Sequence, residues 1–123
     1  MFIAISHNDP APMYRQVTDQ IRDAIARGDL LPDTRIPSIR ELSVELGISP
    51  ITIKRAYRDL ESEGLIVTRA GLGSFIAAVD REEIRMEKLS EIRTEMKKTV
   101  RTAARYGISP EDIKRIIDES KED

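Results

Sequence analysis

The sequence predicts a mainly α-helical chain with one small β-hairpin, and three observations carry that prediction. Apolar residues recur at helical spacing in two segments separated only by Gly47-Ile48-Ser49. Two short β-branched or apolar segments then flank the glycine-bearing Ala70-Gly71-Leu72-Gly73. A long, strongly charged helical pattern completes the 123 residues.

The elements follow in order. Pro12 suits a first helical turn. From there Tyr14, Val17, Ile21, Ala24 and Ile25 recur at three- and four-residue steps, while Arg15, Asp19, Arg22 and Asp23 take other faces, until Gly28 stops the helix. Leu30 to Pro37 reads as turns. Ser38 then caps a second helix, with Glu41 three residues on predicting a capping box and Ile39, Leu42 and Leu46 forming the apolar face. Gly47 ends that helix, and Ser49 with Pro50 starts a third, so the pair reads as a helix-turn-helix. In the third helix Ile53, Ala56, Tyr57 and Leu60 share the inner face, and Gly64 follows. Leu65 to Arg69 and Ser74 to Val79 predict the hairpin.

Beyond Val79 a charged helix is expected from Asp80 to about Tyr106, with the narrow stripe Leu89, Ile92, Met96, Thr99 or Val100, and Ala103. So narrow a seam requires a partner helix. Gly107 breaks it, and Ser109-Pro110-Glu111-Asp112 starts a last short helix carrying Ile113, Ile116 and Ile117 inward, where with the α-helical stripe they are expected to serve dimerisation. Glu119 to Asp123 is expected to fray. The expected organisation is a winged helix-turn-helix over residues 1–78, followed by a two-helix C-terminal dimerisation region over residues 79–123.

Composition narrows the chemistry. With no Cys, a disulfide framework, a thiolate zinc site and a Cys nucleophile are excluded, and His7 alone leaves no histidine triad or multi-histidine metal cage. No cofactor, no metal and no enzymatic activity are expected. Glu82 with Glu83 and Glu111 with Asp112 resemble carboxylate pairs, yet adjacent helical side chains point about 100° apart, so they read as solvated faces. His7 reads as a solvated loop residue, and Met86 and Met96 as packing. No apolar run approaches the roughly 20 residues of a membrane helix, and Met1 to Ile5 lacks the flank and core of a secretory signal. The chain is therefore expected in the cytoplasm, without a membrane partner.

Twenty Lys and Arg against twenty-two Asp and Glu leave a formal charge of −2, so a nucleic-acid surface must come from local placement. Residues 35–74 hold six cations and five anions. Opposite the inner face of the third helix lie Ile51, Arg55, Arg58 and Ser62, with Thr52 and Lys54 on the flanks. Its first half is cationic and its second half, Asp59, Glu61 and Glu63, acidic, which places the N-terminal half in a major groove of double-stranded DNA. Ser38 starts the second helix, whose free amides suit phosphate, and Arg40 in its first turn reaches a phosphate or a base edge, with a surface ion pair to Glu41 or Glu45 as its alternative. Ile51 suits either a thymine methyl or a staple against the preceding turn. Arg69, Gly71 and Gly73 bring a wing close to backbone or minor groove, although glycines serve a bare hairpin equally well.

Several strings together carry a family likeness: Pro12-Met13-Tyr14-Arg15-Gln16, Arg35-Ile36-Pro37-Ser38-Ile39-Arg40-Glu41-Leu42, Leu46-Gly47-Ile48-Ser49, Thr52-Ile53-Lys54-Arg55-Ala56-Tyr57, Leu60-Glu61-Ser62-Glu63-Gly64-Leu65-Ile66 and Gly71-Leu72-Gly73-Ser74-Phe75. They resemble the DNA-binding domain of the GntR family of bacterial transcription regulators. The short two-helix tail, an early strand over the apolar Phe2 to Ile5 and the Lys54-Arg55-Ala56-Tyr57 string are similar to the YtrA subfamily. That resemblance implies a homodimer formed through the tail. It further implies repression of the regulator's own operon, often with ABC-transporter genes. It places DNA contacts on Arg40, Ser49 to Thr52, Lys54 and Gly71. Many relatives have an arginine where this chain has Pro50, so that contact is lost, with Arg55 or Arg58 compensating. The stretch after Val79 is too short for the ligand-sensing or aminotransferase-like domains of larger branches.

The expected function is thus a sequence-specific homodimeric repressor on a pseudo-palindromic operator. The sequence names no small-molecule effector; space between the long helices and the winged domain is the expected place for one. The rival reading is a winged-helix module that binds another protein, supported by Asp59, Glu61 and Glu63.

Overall fold

The computed structural model describes residues 1–121. Two compact units emerge, Met1–Arg81 and Glu82 onward.

The first unit is built on α1 (Met13–Arg27), α2 (Ile39–Leu46) and α3 (Pro50–Ser62). Helix α3 packs against both others, and its inner face is as its periodicity predicts: Ile53, Ala56, Tyr57 and Leu60 are all buried. Against it lie Val17, Ile21 and Ile25 of α1 and Leu42 of α2, while Tyr14, Ala24, Ile39 and Leu46 are half-buried. Two polar residues of α1 share the interior. Thr18 donates to its own helix at the Tyr14 carbonyl, 2.8 Å away. Gln16 donates to the carbonyls of Ser6 and Ala11 and accepts from the Ser6 amide.

The early strand expected over Phe2 to Ile5 does not form. Gln20 repeats the pattern on Ala4, accepting from its amide at 2.9 Å and donating to its carbonyl at 2.7 Å. Between them the two side-chain amides tie Ala4 and Ser6 to α1, and Ile3 is buried in an otherwise irregular segment.

Gly28 ends α1 in the left-handed region, φ 83°. The Arg81 guanidinium then donates to the free carbonyls of Ala26 and Arg27, at 3.4 and 2.9 Å. Its atoms stand 2.7–2.9 Å from where a Cβ on residue 28 would lie, so a larger residue there would displace the flexible end of Arg81, while the positive φ favours glycine on backbone grounds.

The segment read as turns from Leu30 to Pro37 contains a strand, β1 (Arg35–Ile36). It pairs antiparallel with β3 (Gly73–Ile76), which pairs in turn with β2 (Ile66–Arg69), so the expected hairpin is the larger part of a three-stranded sheet ordered β1-β3-β2. Two residues are too few to show a period in sequence, yet Ile36 is among the most buried side chains. Gly73 belongs to β3 and not to the connection before it.

The capping box predicted at α2 is half formed. Ser38 accepts from the Glu41 amide at 3.0 Å, but the Glu41 carboxylate turns outward to Arg35, 3.6 Å away. Between α2 and α3, Gly47 takes φ 67°. Buried Ser43 holds the turn closed: its hydroxyl donates to the Ile48 carbonyl while its own carbonyl accepts from the Ile48 amide. Across the core the Tyr57 hydroxyl donates to the Pro37 carbonyl at 2.7 Å.

The second unit holds nearly all of α4 (Arg81–Arg105) and α5 (Pro110–Ser120). Ser109 and Asp112 form a reciprocal capping box, which holds the Asp112 carboxyl below the usual carboxylate range through bonds from the Ser109 amide and hydroxyl. Only Ala103 and Ile113 are buried among its described residues. Within one chain Ile116 and Ile117 do not point inward; they are exposed, at 55% and 44%, which leaves them on the surface expected to dimerise. Two helices of one chain offer no third surface to cover them. Of the segment expected to fray, Glu119 and Ser120 are helical and Lys121 caps the helix, while Glu122 and Asp123 lie outside the described residues.

Candidate nucleic-acid interface

The tight turn fixes where α3 presents its outer face. Ser49 caps it, Pro50 occupies its first position, and Ile51, Lys54, Arg55 and Arg58 are exposed, with Thr52 half-buried between. Arg40 is exposed one residue into α2. Among the described residues Arg40, Lys54 and Arg58 make no ion pair, so the alternative pairing of Arg40 with Glu41 or Glu45 does not occur. Ile51 is 78% exposed, which removes the staple alternative for it as well. Ser38 and Ser49 spend a hydroxyl lone pair on capping, accepting from Glu41 and Ile51 amides.

Two expected contacts are held more tightly than the sequence indicated. The Arg55 guanidinium lies over the Tyr14 ring, 3.7 Å from its centroid, so the face opposite the core of α3 is braced by α1. Arg69 is paired with Asp33 at 2.7 Å and lies over Phe75, 4.4 Å from its centroid. Neither partner is visible in a linear reading: Asp33 stands 36 residues away and Tyr14 forty-one residues before its arginine. The wing connection turns on Gly71, φ 74°, with the Leu72 amide donating to the Arg69 carbonyl at 2.9 Å. Open space surrounds Gly71, whereas Gly73, φ 117°, sits against the Arg35 side chain.

The acids of α3 are not all available. Glu63 accepts two bonds from Arg22, leaving Glu61 exposed and Asp59 half-buried. Burial, then the carboxylates of Glu41 and Glu45, push the Tyr57 hydroxyl well above its ordinary pKa. His7 lines a shallow cavity of about 490 Å³ beside the turn, together with Met13, Glu45 and Thr52. Among the described residues no cluster of three or more His, Asp or Glu is placed to hold a metal ion, and no helix is long and apolar enough to cross a membrane.

Along α4, Leu89, Ile92 and Val100 are exposed and Met96 is half-buried, so the stripe ending at Ala103 is largely uncovered within one chain.

Comparison with known proteins fits this geometry. The model of the bacterial regulatory proteins of the gntR family matches residues 13–76. The chain is 29% identical over 121 residues to the HTH-type transcriptional repressor YtrA of Bacillus subtilis, spanning 98% of this chain and 93% of that one. In structure it is similar to a transcriptional antiterminator from Listeria monocytogenes, with TM-score 0.74 and 31% identity over 98% of this chain and 90% of that one. It is also similar to the AraR DNA-binding domain in complex with operator ORX1, with TM-score 0.55 and 35% identity over 63% of this chain and 99% of that one.

Proposed function

Since the chain belongs to the gntR family of bacterial regulatory proteins, in its YtrA subfamily, and is a transcriptional regulator with a DNA-binding head, we propose that it is a homodimeric repressor reading a pseudo-palindromic operator. The observation that carries this reading is the set of unpaired cations Arg40, Lys54 and Arg58 gathered at the helix-turn-helix of a chain whose formal charge is −2. Cations without internal partners are free to displace the counterions of a phosphate backbone. The uncovered stripe of α4 supports pairing with a second copy, and a two-fold dimer presents two reading helices to two half-sites. The resemblance to YtrA supports repression, with the protein's own operon and ABC-transporter genes as targets, in the cytoplasm.

The test is selection from a random duplex pool at near-physiological salt, followed by the salt dependence of binding to the winner. An inverted repeat with half-sites about one or two helical turns apart is expected. A folded protein that enriches no sequence, and whose weak binding ignores salt, would instead support the protein-binding reading.

A further inference from the structure

The first turn of α3 has no main-chain donor left for DNA. Pro50 has no N–H; the Ile51 amide donates to the Ser49 hydroxyl at 3.2 Å, and the Thr52 and Ile53 amides donate to the Ser49 carbonyl at 3.0 and 3.2 Å. Besides the exposed Ser49 hydroxyl, the side chain this turn projects furthest outward is apolar. Ile51 is 78% exposed, on the same helix face as Arg55 and Arg58 and one turn before Lys54. An isoleucine carries neither donor nor acceptor, so against the edge of guanine, adenine or cytosine it would strip water from polar groups and return nothing. Among the groups that base pairs present in the major groove, the bulky apolar one is the C5 methyl of thymine.

We propose that Ile51, with Pro50 beside it, reads a thymine methyl in each operator half-site, and that the flanking cations hold the helix in register through phosphate. This inference rests on the reading of α3 as the groove-entering helix. Ile51 is then a specificity-determining residue, and its part of the operator is written in a methyl group.

Replacing thymine by deoxyuridine removes that methyl and leaves every hydrogen-bonding group of the pair in place. In an operator obtained by selection, single symmetric T-to-dU replacements are expected to be silent except at one position per half-site, where affinity falls about three- to tenfold. Ile51→Ala, a change at an exposed position, should bind thymine and deoxyuridine operators alike at that position, whereas Val44→Ala, the other strongly exposed aliphatic of the motif, should still distinguish them. Tight operator binding by the wild type that ignores every replacement overturns the methyl reading alone. Discrimination that survives in Ile51→Ala also overturns it, because another side chain then holds the methyl. Failure to prefer any duplex overturns this inference together with the reading it rests on.

Discussion

Arg22 of α1 donates two hydrogen bonds to the carboxylate of Glu63 at the end of α3, at 3.1 Å from Nε and 2.6 Å from an Nη. The pair joins residues 41 positions apart and pins the far end of the reading helix to α1, while Arg55 on Tyr14 braces its near end. An acid that in sequence looked like surface for a protein partner is thus part of the frame.

Breaking that pair should loosen the frame without touching the reading face. The two side chains are partly exposed, so solvent screening limits the pair's worth to about 1 kcal/mol or less. Glu63→Gln is expected to lower the urea midpoint slightly and to leave operator affinity within about threefold. A loss of operator binding greater than tenfold, with stability unchanged, would place Glu63 in DNA recognition.

Tyr57→Phe leaves the Pro37 carbonyl without its partner and should cost about 1 kcal/mol in chemical denaturation. The wild type should also show an alkaline loss of stability that the variant lacks at this site. Burial raises the hydroxyl's pKa in the folded state, so above the unfolded tyrosine value of about 10 unfolding releases a proton. The stabilisation is complete below that pH and is lost as pH rises above it. Denaturation midpoints for both proteins at pH 8 and pH 10.5 decide the matter; parallel alkaline slopes would show that Tyr57 does not carry the effect.

Charge neutralised inside the fold should count for less at the DNA. Arg58→Ala is expected to weaken operator binding by about 1–3 kcal/mol if Arg58 meets a base, or to reduce the slope of log K against log salt by about one if it meets phosphate. Arg69→Ala should change the slope by clearly less, because Asp33 already faces the Arg69 guanidinium at 2.7 Å. Equal slope changes for the two variants would mean that the Asp33 pair opens when DNA binds.

Ile92 stands half-exposed in the middle of the α4 stripe. Placing a carboxylate there, Ile92→Glu, should convert a dimer to a monomer by burying an unpaired charge at the seam, and a monomer reading one half-site should bind the full operator much more weakly. Small-angle scattering at micromolar concentration reads the first effect and gel shift the second. A variant that stays dimeric would move the interface off this stripe.

The helices, their order and the face α3 turns to the core could all be read from the chain of residues. Those features follow from short-range rules: Val17, Ile21 and Ile25 at helical spacing, Ser49-Pro50 at a helix start, and glycines at positions that need positive φ. The exposed cations and Ile51 were legible in the same way, because the side of a helix opposite its core is fixed by about 100° per residue. Tertiary structure alone decided which charges remain free. Arg69 closes on Asp33, Arg22 on Glu63 and Glu41 on Arg35, while Arg40, Lys54 and Arg58 are left open. Nor could spacing reveal the two-residue strand β1, or the glutamine side chains that tie Ala4 and Ser6 to α1. Such partners lie tens of residues apart, and a pairing between distant residues leaves no period along the chain; it exists only once the core has set the helices side by side.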